Sequence, residues 1–181
     1  MPFIMAENKI TISMVKANIL GLIFGLLLVG ILALPFYLLY GIESTGKIIQ
    51  FFKFRIFIPS IVLGIIVHEV IHGITWSLAG KTPFSNIKFG IQFKTLTPYA
   101  HCKVPIRMST YRTGALMPFL IMGIGPYIYS LFTEDPTILG FGLFFCFGAI
   151  GDLMILWITR TISADKNVQD HPTEGGVIIV D

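Results

Sequence analysis

Charge is what this chain has least of, and it is missing in long stretches. Asp, Glu, Lys and Arg make up 13% of the 181 residues, against roughly 25% in soluble domains. No charged residue occurs from Ala17 to Ile42 or from Thr113 to Thr133. Between Ile56 and Gly80 the ionisable residues are His68, Glu69 and His72, and between Pro136 and Thr159 there is Asp152 alone. Each gap matches or exceeds the roughly 20 residues a helix needs to cross the hydrocarbon core. Four such runs would leave a soluble fold too little polar surface to cover them, which excludes a buried helical core in water. Cysteine is scarce as well. Cys102 and Cys146 fall in different regions, so there is no disulfide framework and no sign of an oxidising compartment. Internal repeats and low-complexity tracts are absent. The first apolar run is too long for a signal-peptide core and lacks an A-x-A cleavage site, so it reads as an anchor.

What is present is hydrophobic residues, at 54%. The pattern predicts one domain, 1–181, with transmembrane helices over about 17–41, 57–79, 113–132 and 138–159. Lipid offers no hydrogen-bond partners, so each span must satisfy its own amides as a helix. Lys and Arg are unevenly shared. The N-terminal arm, the loop between spans two and three, and the tail 161–181 with its preceding Arg160 carry ten, and the other side carries Lys47, Lys53 and Arg55. By the positive-inside rule this is a multi-pass protein of the cell membrane with both termini and the long loop in the cytoplasm. The pI near 8.9 reflects that bias. It calls for anionic lipid headgroups as partners rather than nucleic acid. The segment IIQFFKFRIF ahead of span two reads as an interfacial piece lying at the far surface.

The second span contains GIIVHEVIHGITW, from Gly64 to Trp76. Residues four apart share a helix face, so His68 and His72 can present two imidazoles to one ion, with Glu69 beside that face. This is H-E-x-x-H, in which two His hold zinc and the Glu works on water. Zinc lowers the pKa of its water toward about 7, and a nearby carboxylate takes the proton as the water attacks a carbonyl. Ionisable residues at bilayer depth cost about 2.5–3.5 kcal/mol each for charged types, and a bound dication offsets that cost.

A catalytic zinc takes three protein ligands and keeps one position open. Asp152 is the remaining ionisable residue within a span, and its depth matches. His72 lies nine residues before Lys81, and Asp152 eight before Arg160, a depth difference of about 1.5 Å at similar tilt. Glu134 and Asp135 fall on the opposite side, and His101 and His171 lie outside the spans. Gly148 and Gly151 flank Asp152 and would permit close helix approach. A di-iron centre is excluded because the second Glu-x-x-His pair it needs is missing.

Between spans two and three, Ile87, Phe89, Ile91 and Phe93 alternate with Lys88, Gly90, Gln92 and Lys94. After TLTP, Ala100, Cys102, Val104 and Ile106 alternate with Tyr99, His101, Lys103 and Pro105. Period two in both halves predicts a β-hairpin over about 86–106. Its edge could hold an extended peptide by main-chain hydrogen bonds, with Ile91, Tyr99 and His101 as candidate substrate-binding residues; a purely structural hairpin is the alternative. His101 and Cys102 are adjacent, so they point to opposite faces and cannot easily chelate one ion. The tail GGVIIVD could add Val177–Val180 as a further strand on the hairpin sheet. Pro126 should kink the third span.

With H-E-V-I-H-G on the second span, the hairpin after it and G-D on the last span, the chain resembles the DUF3267 family of membrane zincin peptidases. The resemblance covers about 57–180 and includes YAHCKVPI, GDLMILW and DHPTEGG. On His68, Glu69, His72 and Asp152 the chain is also distantly similar to site-2-protease-type intramembrane metalloproteases. The resemblance implies a zinc ion held by His68, His72 and Asp152, with Glu69 as general base and a membrane protein or peptide as substrate. The fold class expected is an all-α membrane protein of four transmembrane helices with a cytoplasmic β-hairpin between the second and third. From the residues alone two other readings stay open. One is a non-catalytic metal-binding membrane module, or a transport or assembly protein. The other is a structural bundle whose polar cluster bonds internally.

Overall fold

The structure, a computed structural model, describes residues 4–6, 9–93, 97–172 and 174–180. Four helical stretches are long and apolar enough to cross a membrane: Met14–Gln50, Phe54–Gly80, Met108–Thr133 and Pro136–Ile158. They match the four expected spans, the fourth ending at Ile158, one residue short of the expected 159. The first is helix α1 (Met14–Gly46) followed by a short 3₁₀ turn, Lys47–Gln50. Helical geometry fails inside α1 at Gly41, whose φ of 72° lies in the left-handed region that glycine enters without a Cβ clash. The second is one helix, α2 (Phe54–Gly80). The third joins α3 (Met108–Pro118) to α4 (Gly125–Thr133) through a π-helical turn at Phe119–Ile124. Proline at 118 and at 126 removes backbone donors on both flanks of that turn, which accounts for the irregularity expected there. The fourth is interrupted at Ala149 and divides into α5 (Pro136–Gly148) and α6 (Ile150–Ile158).

The chain forms two compact units. The first comprises 1–21, 69–117 and 151–181, and the second 22–68 and 118–150. The first unit carries all the strands. β1 (Ile4–Ala6), β2 (Lys9–Ile12), β7 (Gly175–Val180), β6 (Asn167–Asp170) and β5 (Ile106–Arg107) form one antiparallel sheet in that order. Ile10, Ile12, Ile106, Val168 and Val177 are buried on it, together with Met108, Ile158 and Ile162 from the helix ends. Gly176 has φ +134°, and a Cβ there would stand 2.2 Å from the Ile10 carbonyl oxygen, so only glycine lets β2 pair at that point. Arg112 of α3 donates to the carbonyls of Thr159 and Ile162. It thereby satisfies acceptors left over at the end of α6.

A separate two-stranded sheet pairs β3 (Ile87–Gln92) with β4 (Thr97–Cys102), in register from Ile87↔Cys102 to Gln92↔Thr97. Four expectations need correction. The hairpin stops at Cys102 instead of running to 106. Past that point the Lys103 amide bonds to the Asn86 carbonyl and Ile106 pairs with Val168 in the larger sheet, while Pro105 has no amide proton to offer a ladder. The tail does form a strand, but β7 pairs with β2 and β6, not with the hairpin. The protein is therefore mostly helical with two small sheets, rather than all-α with one hairpin. Gly148 and Gly151 face open space, with nothing within 4 Å of a built Cβ, so they mediate no close approach. The hairpin turn, including Lys94, lies outside the described residues.

In the second unit, Phe51 is fully buried, with Phe57, Phe141 and Phe144 rings 5.5–6.2 Å away. The aromatic segment read as surface-lying thus sends Phe51 inward, where its ring meets four aromatic neighbours, Phe52 being the fourth at 5.2 Å. Phe36, Leu139 and Leu143 form the rest of this core with Tyr127. Gly142 meets the backbone of Tyr127, with its amide nitrogen 2.6 Å from a built Cβ. This is the small-residue contact by which helices approach in lipid.

Candidate metal centre

His72 lies in the middle of α2 and is 5% exposed. Its Nδ1 stands 2.9 Å from the Gly114 carbonyl oxygen of α3. A carbonyl can only accept, so this bond places a proton on Nδ1 and turns the Nε2 edge of the ring toward α6. Nε2 in turn faces Asp152 of α6, 3.3 Å from Oδ1. Asp152 sits in the first turn of α6, where the positive end of the helix dipole favours a carboxylate. His68 stands one turn before His72 on the same unbroken helix. One ligand-capable atom from each of His68, His72 and Asp152 lies within 4.8 Å of the others.

This donor set fits zinc. Bonds of 2.0–2.1 Å in tetrahedral array put neighbouring donors about 3.3–3.4 Å apart, and the His72–Asp152 separation of 3.3 Å already has that value. The Gly114 carbonyl supplies the outer hydrogen bond that orients a ligating imidazole. With three such donors a bound zinc would keep a fourth position for water or substrate, as hydrolytic zinc sites do.

A cavity of about 100 Å³ opens at His72 and Asp152. Glu69 lines it, as do Pro98, Tyr99 and Ala100 of β4, together with Trp76, Tyr111 and Asp170. The walls are held by stacking and hydrogen bonds. Trp76 stacks on His72 with centroids 5.4 Å apart and on Tyr111 at 5.6 Å, and its Nε1 donates to the Tyr111 carbonyl. Gly114 makes room for this stack, because a Cβ there would fall 2.0 Å from Trp76 Nε1. Tyr111 donates its hydroxyl to Asp170 at 2.7 Å, and the Cys102 amide donates to the other Asp170 oxygen at 2.9 Å. Burial pushes the Asp170 carboxyl above the usual range, against the pull of the Tyr111 hydroxyl, the Cys102 amide and His101. Burial likewise pushes the Cys102 thiol up.

Of the residues singled out from sequence, Glu69, His72, Asp152 and Tyr99 share this cavity, and His68 is in reach of the donor cluster. His101 lies next door. It faces Asp170 at 3.6 Å and lines a polar cleft of about 500 Å³ that shares Tyr99, Ala100 and Asp170 with the inner cavity. Ile91 is 54% exposed and lines neither space. Sequence reading missed Trp76, Tyr111, Gly114 and Asp170. Trp76 had a signal, since it follows His72 by four and so shares its face. Asp170 opens DHPTEGG, a segment that carries the family resemblance, but no site role was read from it; Tyr111 and Gly114 are brought in by tertiary packing, and no spacing announces them.

No curated protein matches the chain, and no solved structure does. A family profile with the description "Putative zincin peptidase" matches residues 61–166. That span is more than half of the chain and takes in both histidines, Glu69, Asp152 and the hairpin, and the chain belongs to this family, DUF3267.

Proposed function

We propose that the protein is a zinc-dependent endopeptidase of the cell membrane that hydrolyses peptide bonds of a membrane protein or peptide at or within the bilayer. The observation that carries this reading is the His72–Asp152 pair at tetrahedral spacing, with His68 one turn away and Glu69 on the same cavity. His68, His72 and Asp152 would hold the zinc. When bound, zinc supplies Lewis acidity, which polarises a carbonyl and acidifies water. Glu69 accepts the proton of the attacking water and returns it to the leaving amine, work worth about 10²–10⁴ in rate. Stacking and the Gly114 carbonyl hold the His72 ring in one orientation and one tautomer.

Strand β4 gives the site a place for substrate. The Cys102 amide points to Asp170, away from β3. By the alternation of an antiparallel ladder, the main-chain groups of Ala100 and the Pro98 carbonyl then also point away from β3. These residues line the same cavity as Glu69. An extended peptide can add here as a strand. With the long loop in the cytoplasm, as the Lys and Arg bias indicates, cleavage takes place at the cytoplasmic side.

The test is Glu69→Gln in the purified, detergent-solubilised protein. The expected result is full zinc content with cleavage of unfolded casein reduced by at least about 10²-fold. Wild-type cleavage by a zinc-replete Glu69→Gln protein would overturn the role of Glu69. A wild-type protein that binds no zinc would overturn the metal reading.

A further inference from the structure

Asp170 belongs to β6, beyond residue 166 where the family profile ends, yet it forms part of the wall of the catalytic cavity. Its two oxygens serve two different elements: Oδ1 takes the Tyr111 hydroxyl of α3 and Oδ2 takes the Cys102 amide of β4. The His101 ring stands 3.6 Å from Oδ2. A carboxylate that is 12% exposed and holds two donors is an expensive group to bury without a purpose in the fold. The neighbouring Gln169 adds a second tie to the same segment, its Nε2 donating to the Lys103 carbonyl.

The consequence concerns the edge of β4. An outward-pointing amide at Cys102 would otherwise pair with the next strand. Asp170 takes that donor and so closes the edge at Cys102, leaving the stretch from Pro98 to Ala100 open toward Glu69 and His72. Pro98 has no amide proton and costs nothing at an edge. The open edge therefore offers one donor, at Ala100, and two acceptors, at Ala100 and Pro98. We infer that Asp170 is a positioning residue for substrate: by docking β4 against α3 it fixes where, and over what length, an extended peptide can pair beside the catalytic glutamate. This rests on the peptidase reading given above and deepens it. It also explains why Tyr111 carries a hydroxyl, since a phenylalanine there would stack on Trp76 equally well.

Cys102 gives a readout that does not depend on catalysis. Its side chain is 1% exposed, and its amide is the one Asp170 holds. The experiment uses the full-length, zinc-loaded protein in detergent, as wild type, Asp170→Ala, Asp170→Asn and Tyr111→Phe. Maleimide labelling of Cys102 is followed by peptide mass spectrometry, and zinc content is measured in parallel. Binding of fluorescein-labelled casein is read by anisotropy in a Glu69→Gln background, where nothing is cut. Asp170→Ala should raise Cys102 labelling and weaken casein binding by about tenfold each, the effect of losing main-chain anchoring bonds, while zinc content stays at the wild-type level. Asp170→Asn should restore both, because its amide can still accept from Cys102 and donate to the Tyr111 oxygen. Tyr111→Phe, which keeps the Cys102 bond, should fall between. Unchanged labelling in Asp170→Ala, loss of zinc in that variant, or no rescue by Asp170→Asn would overturn the inference. Absence of casein binding in the Glu69→Gln protein overturns its substrate half. A wild type that binds casein and protects Cys102 but cuts nothing would instead sink the peptidase reading and leave the docking role standing.

Discussion

Gly114 offers the sharpest test of how the centre is supported. A methyl group there would lie 2.0 Å from Trp76 Nε1, 2.3 Å from Cδ1 and 2.8 Å from Cε2. Ordinary contact begins near 3.4 Å, so the ring or the helix must move by at least about 1.4 Å to relieve an overlap of this kind. Trp76 cannot move alone, since it is stacked between His72 and Tyr111 and tied to the Tyr111 carbonyl. If α3 yields instead, the Gly114 carbonyl leaves His72 Nδ1. Overpacking costs about 1–3 kcal/mol and the lost hydrogen bond about 0.5–1.5 kcal/mol, so Gly114→Ala should destabilise by about 2–4 kcal/mol. The His72 ring then loses its tautomer lock, which should weaken zinc binding by about 10–100-fold. Chelator-competition titration and thermal unfolding in detergent measure the two effects. A Gly114→Ala protein with wild-type zinc affinity and wild-type unfolding would refute both the packing argument and the assignment of Nδ1 as donor.

Further outcomes are expected. Asp152→Ala should lower zinc stoichiometry well below that of wild type, and equal stoichiometry would remove Asp152 from the ligand set. Cys102 should react slowly with iodoacetamide at pH 7 while the protein is folded, because burial raises its thiol pKa and so lowers the reactive thiolate fraction; alkylation at the rate of an unfolded control would contradict this. Asp170, with its carboxyl raised by burial, binds its proton more tightly folded than unfolded. Its contribution to stability should therefore fall as pH rises from about 3.9 through the raised value and then level off, a slope that Asp170→Asn should remove from unfolding curves. Gly176→Ala should destabilise by at least about 1–3 kcal/mol, since both its φ and the Ile10 carbonyl oppose a side chain, and an unaltered melting temperature would argue against the β2–β7 register.

The helices were legible because lipid imposes a simple rule on sequence, namely about 20 residues without charge, and all four gaps became helices. That His68, His72 and Asp152 would come together was legible for a related reason: within apolar runs so few residues can ionise that this group had few alternatives. The large sheet was not legible. β2 has four residues and β5 has two, too short for period two to show, and the pairings β2–β7 and β5–β6 are far apart in sequence. The same gap hid the part Asp170 plays: DHPTEGG was among the segments that carry the family resemblance, but only the placement of β6 brings its first residue to the cavity wall. The alternation at Val104 and Ile106 misled because a fold can abandon a hairpin mid-pattern when proline removes a donor.

Strand β2 spans Lys9–Ile12 and pairs along one side with β7, at Ile178 to Gly175. A nascent chain therefore makes the first of these partners early and must synthesise every apolar helix before the second exists. Contacts so distant in sequence form late. The sheet, and with it Asp170 on β6, joins strands that lie on either side of the four apolar helices, so it cannot close before all four helices and β7 have been synthesised.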